Sequence, residues 1–358
     1  MCRVAVTLYL DPSATPSIVV RRSPLAELCA CLHALDEPGH HPASAAWAAR
    51  THRDLSDGLL AAAAAWAPLW GAFRARYLLP LSAAPKRTLA GELREVAELP
   101  IGDFTAMTVQ ALIGKNDTEL VPLLGDEELN RMRLISSSRV EIGTRLRADP
   151  EGFRQELIAF LSRFAAAAFD AEWPSLRQAL DHDGALRTRA LRRRGPLALA
   201  DLPTATATRT VSGSLRIVFD KLYSATARVD DGRPCLIVPT VHGRPHLVIK
   251  HFPGYPVVIQ YSAGAAPAPT LETARRRLAA LQDPTRLRLC YAILRNPVAT
   301  AELATQLGMT APQVSRHLRR LREAELVHTH RRGSVVYYQL DAAAVERLGP
   351  DLLSVLYR

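Results

Sequence analysis

The sequence predicts an α+β protein, on three observations. Apolar residues recur at helical spacing over roughly residues 23–194, and they alternate in short runs broken by turn residues over 215–261. From Leu271 onward the helical period returns and closes on a second alternating pair. A mainly helical N-terminal domain with a small antiparallel sheet is therefore expected, followed by a compact C-terminal domain. At 358 residues the chain is long enough for two or three cores, and its 48% hydrophobic content excludes global disorder.

Ser23-Pro24 opens the first helix, which carries Leu25, Leu28, Leu32 and Leu35 and ends before Pro38. Leu59, Trp66, Trp70, Phe73 and Tyr77 share one face of a long helix that Pro68 kinks or restarts; they read as core, although an aromatic ligand pocket would use the same residues. Further helices are expected over 85–99, 103–113, 126–136 and 150–180. Arg187, Arg189 and Arg192 to Arg194 then form a basic helix end, where the dipole favours cations. Strands follow at 215–219, 225–229, 235–239, 246–250 and 257–261, separated by Asp-Asp-Gly, His-Gly-Arg-Pro and Pro-Gly-Tyr-Pro turns. The expected segments are 1–195, a mainly helical effector or assembly region, and 196–264, the sheet region packed with it. A linker at 265–270 and the C-terminal domain at 271–358 complete the chain.

That last domain is written in its spacing. Asp283-Pro284-Thr285-Arg286 supplies an N-cap and a proline at the first helical position, and Leu287, Leu289, Ile293 and Leu294 are expected to form the apolar face. A second helix begins near Thr300, places Glu302 in its first turn, buries Leu303 and Leu307, and stops at Gly308. After a two-residue turn, Thr310-Ala311-Pro312-Gln313 has the capping-box form and starts a third helix. Val314, Leu318 and Leu321 must face the core, which turns Ser315, Arg316, Arg319 and Arg320 outward beside Gln313. Two strands around Arg331-Arg332-Gly333-Ser334 make a wing. This is a winged helix-turn-helix. Residues 271–340 hold twelve arginines against five acids, so +7 of the +10 net charge lies in one fifth of the chain, which implies a polyanionic partner.

The motifs "DPTRLRL", "TAELATQLGMTAPQVSRHLRRLREAELV" and "RRGSVVYYQL" resemble the winged-helix domain of ArsR-type transcriptional regulators. The segments "RRSPLAEL" and "CLIVPTVHGRPHLVIKHFPGYPVVIQYSAG" resemble the uncharacterised N-terminal domain that precedes such winged helices in many actinobacterial regulators. The resemblance implies a sequence-specific DNA-binding transcriptional regulator, a repressor released by an effector. A palindromic double-stranded operator and a homodimer joined through 271–281 and 342–356 are also implied. Thr310, Gln313, Ser315, Arg316, Arg319, Arg320, Arg331, Arg332 and Ser334 are the expected DNA contacts. Metal sensors of that family place a Cys-x-Cys pair on the helix at 301–307, or Asp and His after the wing; the first stretch lacks cysteine and 341–356 lacks histidine. No metal site is expected, and the effector is read as a small molecule other than a metal.

Other features point the same way. Cys2, Cys29, Cys31, Cys235 and Cys290 are odd in number without paired spacing, so free thiols and a reducing, cytoplasmic setting are expected. Cys29 and Cys31 lie two apart on a helix and point about 200° from each other, which suits core packing. His242, His246 and His251 fall in and around a turn and read as loop or surface groups. No signal peptide, membrane span, cofactor or enzyme motif is found. The rival expectations are an N-terminal enzyme fused to its own regulator, and a protein-interaction scaffold.

Overall fold

The computed structural model describes residues 5–10, 17–71, 73–85, 87–114, 124–210, 214–221, 223–230, 232–264, 271–333 and 335–356. The chain forms two compact units, Met1–Pro267 and Ala268–Tyr357. The linker expected at 265–270 lies outside the described residues, as does Cys2. Among the described residues no helix is long and apolar enough to cross a membrane.

The helices of the first unit are α1 (Pro24–Asp36), α2 (Ala45–Asp54), α3 (Asp57–Trp66), α4 (Leu89–Ala97), α5 (Ile101–Ile113), α6 (Asp126–Arg133), α7 (Ser137–Ala148), α8 (Pro150–Phe164) and α9 (Trp173–Arg194). Their starts follow from local chemistry. Side chains of Ser23, Ser56, Thr88, Ser136 and Asp149 each accept a hydrogen bond from an amide that the first turn would otherwise leave unsatisfied. The helices enclose an aromatic core in which Tyr77 stacks on Phe104 at 4.6 Å and Trp66 meets Phe153 edge-on at 4.9 Å.

Three helix expectations change. The tryptophan stripe is not one helix: α3 stops at Trp66, Pro68 sits in a 3-10 turn, and Tyr77 comes from a second such turn. Proline has no amide to continue the ladder, yet Trp66, Trp70 and Tyr77 are still buried in the core. Helix α7 was not expected, because Ile142 and Leu146 are too few among its polar residues to register as a period. The stretch 150–180 is two helices joined by a π-helical turn at Ala165–Phe169.

The strands of this unit are β1 (Ala5–Leu10), β2 (Ile18–Val20), β3 (Ala205–Arg209), β4 (Leu215–Asp220), β5 (Ala225–Val229), β6 (Cys235–Thr240), β7 (Val248–Lys250) and β8 (Val257–Ser262). They make two four-stranded mixed sheets, in the orders β3-β4-β1-β5 and β2-β6-β8-β7, rather than one antiparallel sheet. β1 runs antiparallel to β4 and parallel to β5, and β2, β6 and β8 run parallel. β6 and β8 are buried at every residue, so they are covered on both faces, as parallel strands usually are. β1 and β2, at residues 5–10 and 18–20, thus share sheets with 205–262, and Cys29, Cys31 and Cys235 are free and buried.

The second unit comprises α10 (Leu271–Leu281), α11 (Pro284–Ala292), β9 (Val298–Ala299), α12 (Thr300–Leu307), α13 (Ala311–Glu323), β10 (Val327–Arg332), β11 (Val335–Leu340), α14 (Ala342–Glu346) and α15 (Leu348–Leu356). Leu289, Ile293, Leu303, Val314, Leu318, Leu321 and Leu326 form its core. The expected face of α11 is corrected: Leu287 is 50% and Leu294 42% exposed, while Leu289, Cys290 and Ile293 pack inward. The long stripe had taken leucines from both sides of the helix.

A buried ion pair fastens α4 to the start of α1. Arg87 Nε donates to Glu92 Oε1 at 2.5 Å, and Glu92 Oε2 accepts from the Leu25 amide at 2.8 Å. Arg87 also pairs with Glu95 Oε2 at 2.6 Å, so replacing Glu92 by alanine removes one of its two carboxylate partners and leaves the Leu25 amide without its acceptor, an expected cost of about 1–3 kcal/mol in equilibrium unfolding. A single variant as stable as the parent contradicts the assignment.

Candidate nucleic-acid interface

The position of α13 is set at its front end. Gly308 takes the left-handed conformation (φ +63°), which a residue without Cβ adopts at no steric cost, and ends α12. The Met309 amide donates back to Ala304 O at 2.9 Å, so the chain turns at once into the next N-cap. There Thr310 Oγ1 accepts from the Gln313 amide at 3.4 Å, and Gln313 Oε1 accepts from the Thr310 amide at 2.9 Å and from its hydroxyl at 3.0 Å. The capping box read from the sequence is present. It also commits the Gln313 carbonyl, leaving the amide NH2 group to face outward.

Val314, Leu318 and Leu321 are each 0% exposed. With that side of α13 in the core, Thr310, Gln313, Ser315, Arg316, Arg319 and Arg320 are all exposed on one continuous surface. The three arginines are not equivalent. Glu323 lies 3.7 Å from Arg319 and 3.5 Å from Arg320, whereas no acidic partner approaches Arg316 among the described residues. Such exposed pairs are worth little and leave both guanidiniums able to turn to another anion.

The wing is a hairpin in which β10 pairs antiparallel with β11 from Val327↔Leu340 to Arg332↔Val335. A feature missed in the sequence completes it. The two-residue strand β9 pairs with Tyr337 and Tyr338, making three strands, and the Leu340 amide donates to Ile293 O at 3.0 Å. Two residues are too short a run for alternation to signal a strand. Gly333, at φ +62°, makes the tip, and exposed Arg331 donates from Nε to its carbonyl at 3.1 Å. Arg332 closes β10, and Ser334 lies outside the described residues.

Helices α10 and α15 are joined by Arg277, whose guanidinium lies 2.8 Å from Asp351 and 3.6 Å from Glu325. Apolar side chains remain uncovered on this unit: Leu271, Leu278, Leu287, Leu294 and Leu353, and Tyr291 at 82% exposure.

The first unit contains a separate cleft of about 680 Å³, lined among others by Ser44, Gln178, His182, Asp183, His242 and Arg244. It corrects the reading of the turn histidines. His242 and His251 are buried, and burial lowers both to about 4, so they are neutral interior groups rather than surface ones. His242 Nδ1 pairs with Ser44 Oγ at 3.0 Å, and its ring packs 4.6 Å from that of Trp47. Sequence spacing could not show this, since Ser44 and Trp47 are some 200 residues away.

Comparison with known proteins divides the chain as its structure does. Residues 4–267 match a family of unknown function, DUF5937, and residues 283–329 match the bacterial regulatory protein, arsR family. The HTH-type transcriptional regulator KmtR of Mycobacterium tuberculosis is 40% identical over 71 residues, 20% of this chain and 55% of that protein. The transcriptional repressor SdpR of Bacillus subtilis is 28% identical over 67 residues, 19% of this chain and 74% of SdpR. An ArsR-like transcriptional regulator from Rhodococcus sp. RHA1, of known structure, is 25% identical over 23% of this chain and 76% of its own, with a TM-score of 0.22. Each of these relatives matches no more than 23% of this chain, and the chain spans about half the length of KmtR. The chain belongs to the DUF5937 family, and its residues 283–329 match the model of the bacterial regulatory protein, arsR family.

Proposed function

We propose that the protein represses transcription by binding, as a homodimer, to a palindromic operator, and that its first unit is the sensing or assembly part. The observation that carries this reading is the division of α13, with three core residues fully buried and the polar and basic groups all on the other side. An exposed helix of that composition fits the major groove. Ser315 and the Gln313 amide would meet base edges, Arg316 a guanine, and Arg319 and Arg320 the backbone. Thr310, Arg331, Arg332 and Ser334 would contact phosphates at the helix start and wing. One winged helix covers one half-site, so a second copy is required for a palindrome, and the uncovered leucines and Tyr291 on α10, α11 and α15 offer it an apolar surface. SdpR, similar over 67 residues, is named a transcriptional repressor, which supports the sign. The cleft in the first unit is of the size that takes a small molecule, and an effector acts there only by its difference in affinity between two arrangements of the dimer.

Two substitutions test the reader. Arg316→Ala is expected to weaken operator binding by about 1–3 kcal/mol, roughly 5- to 150-fold, and to relax preference at one base position. Titration against operators varied one position at a time measures both, and unchanged affinity and preference remove Arg316 from the interface. Arg331→Ala is expected to lower affinity alike on all duplexes and to reduce the salt slope by about one. A loss confined to one base position would mean that the wing reads sequence.

A further inference from the structure

Three histidines distant in sequence meet in the first unit. His33 lies in the last turn of α1, His41 follows the 3-10 turn Pro38–His40, and His246 lies between β6 and β7. One ring nitrogen from each lies within 4.8 Å of the other two. Ring centroids are 4.6 Å apart for His33 and His41, 4.8 Å for His41 and His246, and 5.5 Å for His33 and His246.

Two observations set this cluster apart from packed core histidines. His41 Nδ1 lies 2.5 Å from the carbonyl oxygen of Arg244. A carbonyl only accepts, so Nδ1 carries the proton and Nε2 keeps its lone pair. That Nε2 is buried with no hydrogen-bond partner among the described residues, and so is Nδ1 of His33, a side chain only 6% exposed. Buried polar atoms are normally satisfied, and two orphaned nitrogens in one cluster point to a missing common partner.

We propose that His33, His41 and His246 bind a divalent transition-metal ion of the zinc, cobalt or nickel type. Imidazole suits these ions, and a ligand histidine anchored through its other nitrogen to a backbone carbonyl is the usual supporting arrangement. Zinc–nitrogen bonds of about 2.0–2.1 Å in a tetrahedron place ligand nitrogens about 3.3 Å apart, so the three close in by at most about 1.5 Å from their present separation. Three imidazoles leave a fourth position open, and His246 is half-buried where the other two are buried. Arg74, buried nearby, opposes a cation. A neighbouring group of Glu27, Cys31 and His242 is less suited: Glu27 Oε1 accepts from the Val241 and His242 amides at 3.0 and 2.9 Å, and His242 Nδ1 is held by Ser44. The site stands on its own geometry and is independent of how α13 binds.

The test uses the full chain, stripped of metal with a chelator and titrated with Co²⁺ and then Zn²⁺. The expected result is one Co²⁺ per chain, with the visible bands of a four-coordinate ion, displaced by Zn²⁺. Single variants His33→Ala, His41→Ala and His246→Ala are expected to lose affinity roughly tenfold or more, while His52→Ala, exposed on α2, keeps it. Because the two buried positions bear on folding, His246→Ala is the deciding variant, with circular dichroism confirming that it is folded. Absence of Co²⁺ binding, or binding unchanged in folded His246→Ala, overturns the proposal.

Discussion

The second unit depends on one seam of apolar contact. Val314, Leu318 and Leu321 lie on one line of α13, and burying all three fixes the rotation of that helix about its own axis. A turn of about 100° would send Arg319 or Arg320 into the core, where an unpaired charge costs several kcal/mol, so the alternative is strongly disfavoured. The composition of the outward face follows from that choice. Gly308 and the Thr310–Gln313 cap then fix where the helix begins, and hence which residues stand at its leading end.

The first unit is stabilised differently, with charge inside. Arg76 donates to the carbonyls of Leu79, Pro80 and Pro256, and Arg74 donates to Gln260 and Ala26. These bonds fasten α1 and the segment after α3 to the β6–β8 sheet, joining parts of the chain that are about 180 residues apart. Carbonyl oxygens take up part of the donors of these interior arginines, while Nε of Arg74 and of Arg76 has no partner among the described residues, and each such network is weakened if one partner is removed. A helical layer tied to a sheet in this way can pass a change at the turn after β6 to α1, since Glu27 accepts from the amides of Val241 and His242.

What was legible in the sequence was local. The caps at Ser23, Asp283 and Thr310 and the glycine at 308 act within three or four residues, and each has the predicted geometry. The period along α13 was equally readable because one stripe has no apolar competitor. Where leucines lie on both sides, as at Leu287 of α11 and Leu294 just beyond it, the period misled. Long-range pairing was invisible. β1 finds its partners at 215–229 and β2 at 235–237, so an alternating run near the start gave no sign of parallel pairing. The histidine cluster is hidden for the same reason, because α1 and the turn before β7 are brought together only by the sheet.

The central claim is that the exposed face of α13 reads DNA as one half of a symmetric pair. It is tested most directly by selecting bound duplexes from a randomised pool with the full-length protein and sequencing them. The account predicts an inverted repeat whose half-sites are centred about one helical turn, or a whole multiple of it, apart, and an affinity that falls steeply with salt. Selection that yields no sequence preference, or a single unrepeated half-site bound with little dependence on salt, would contradict it.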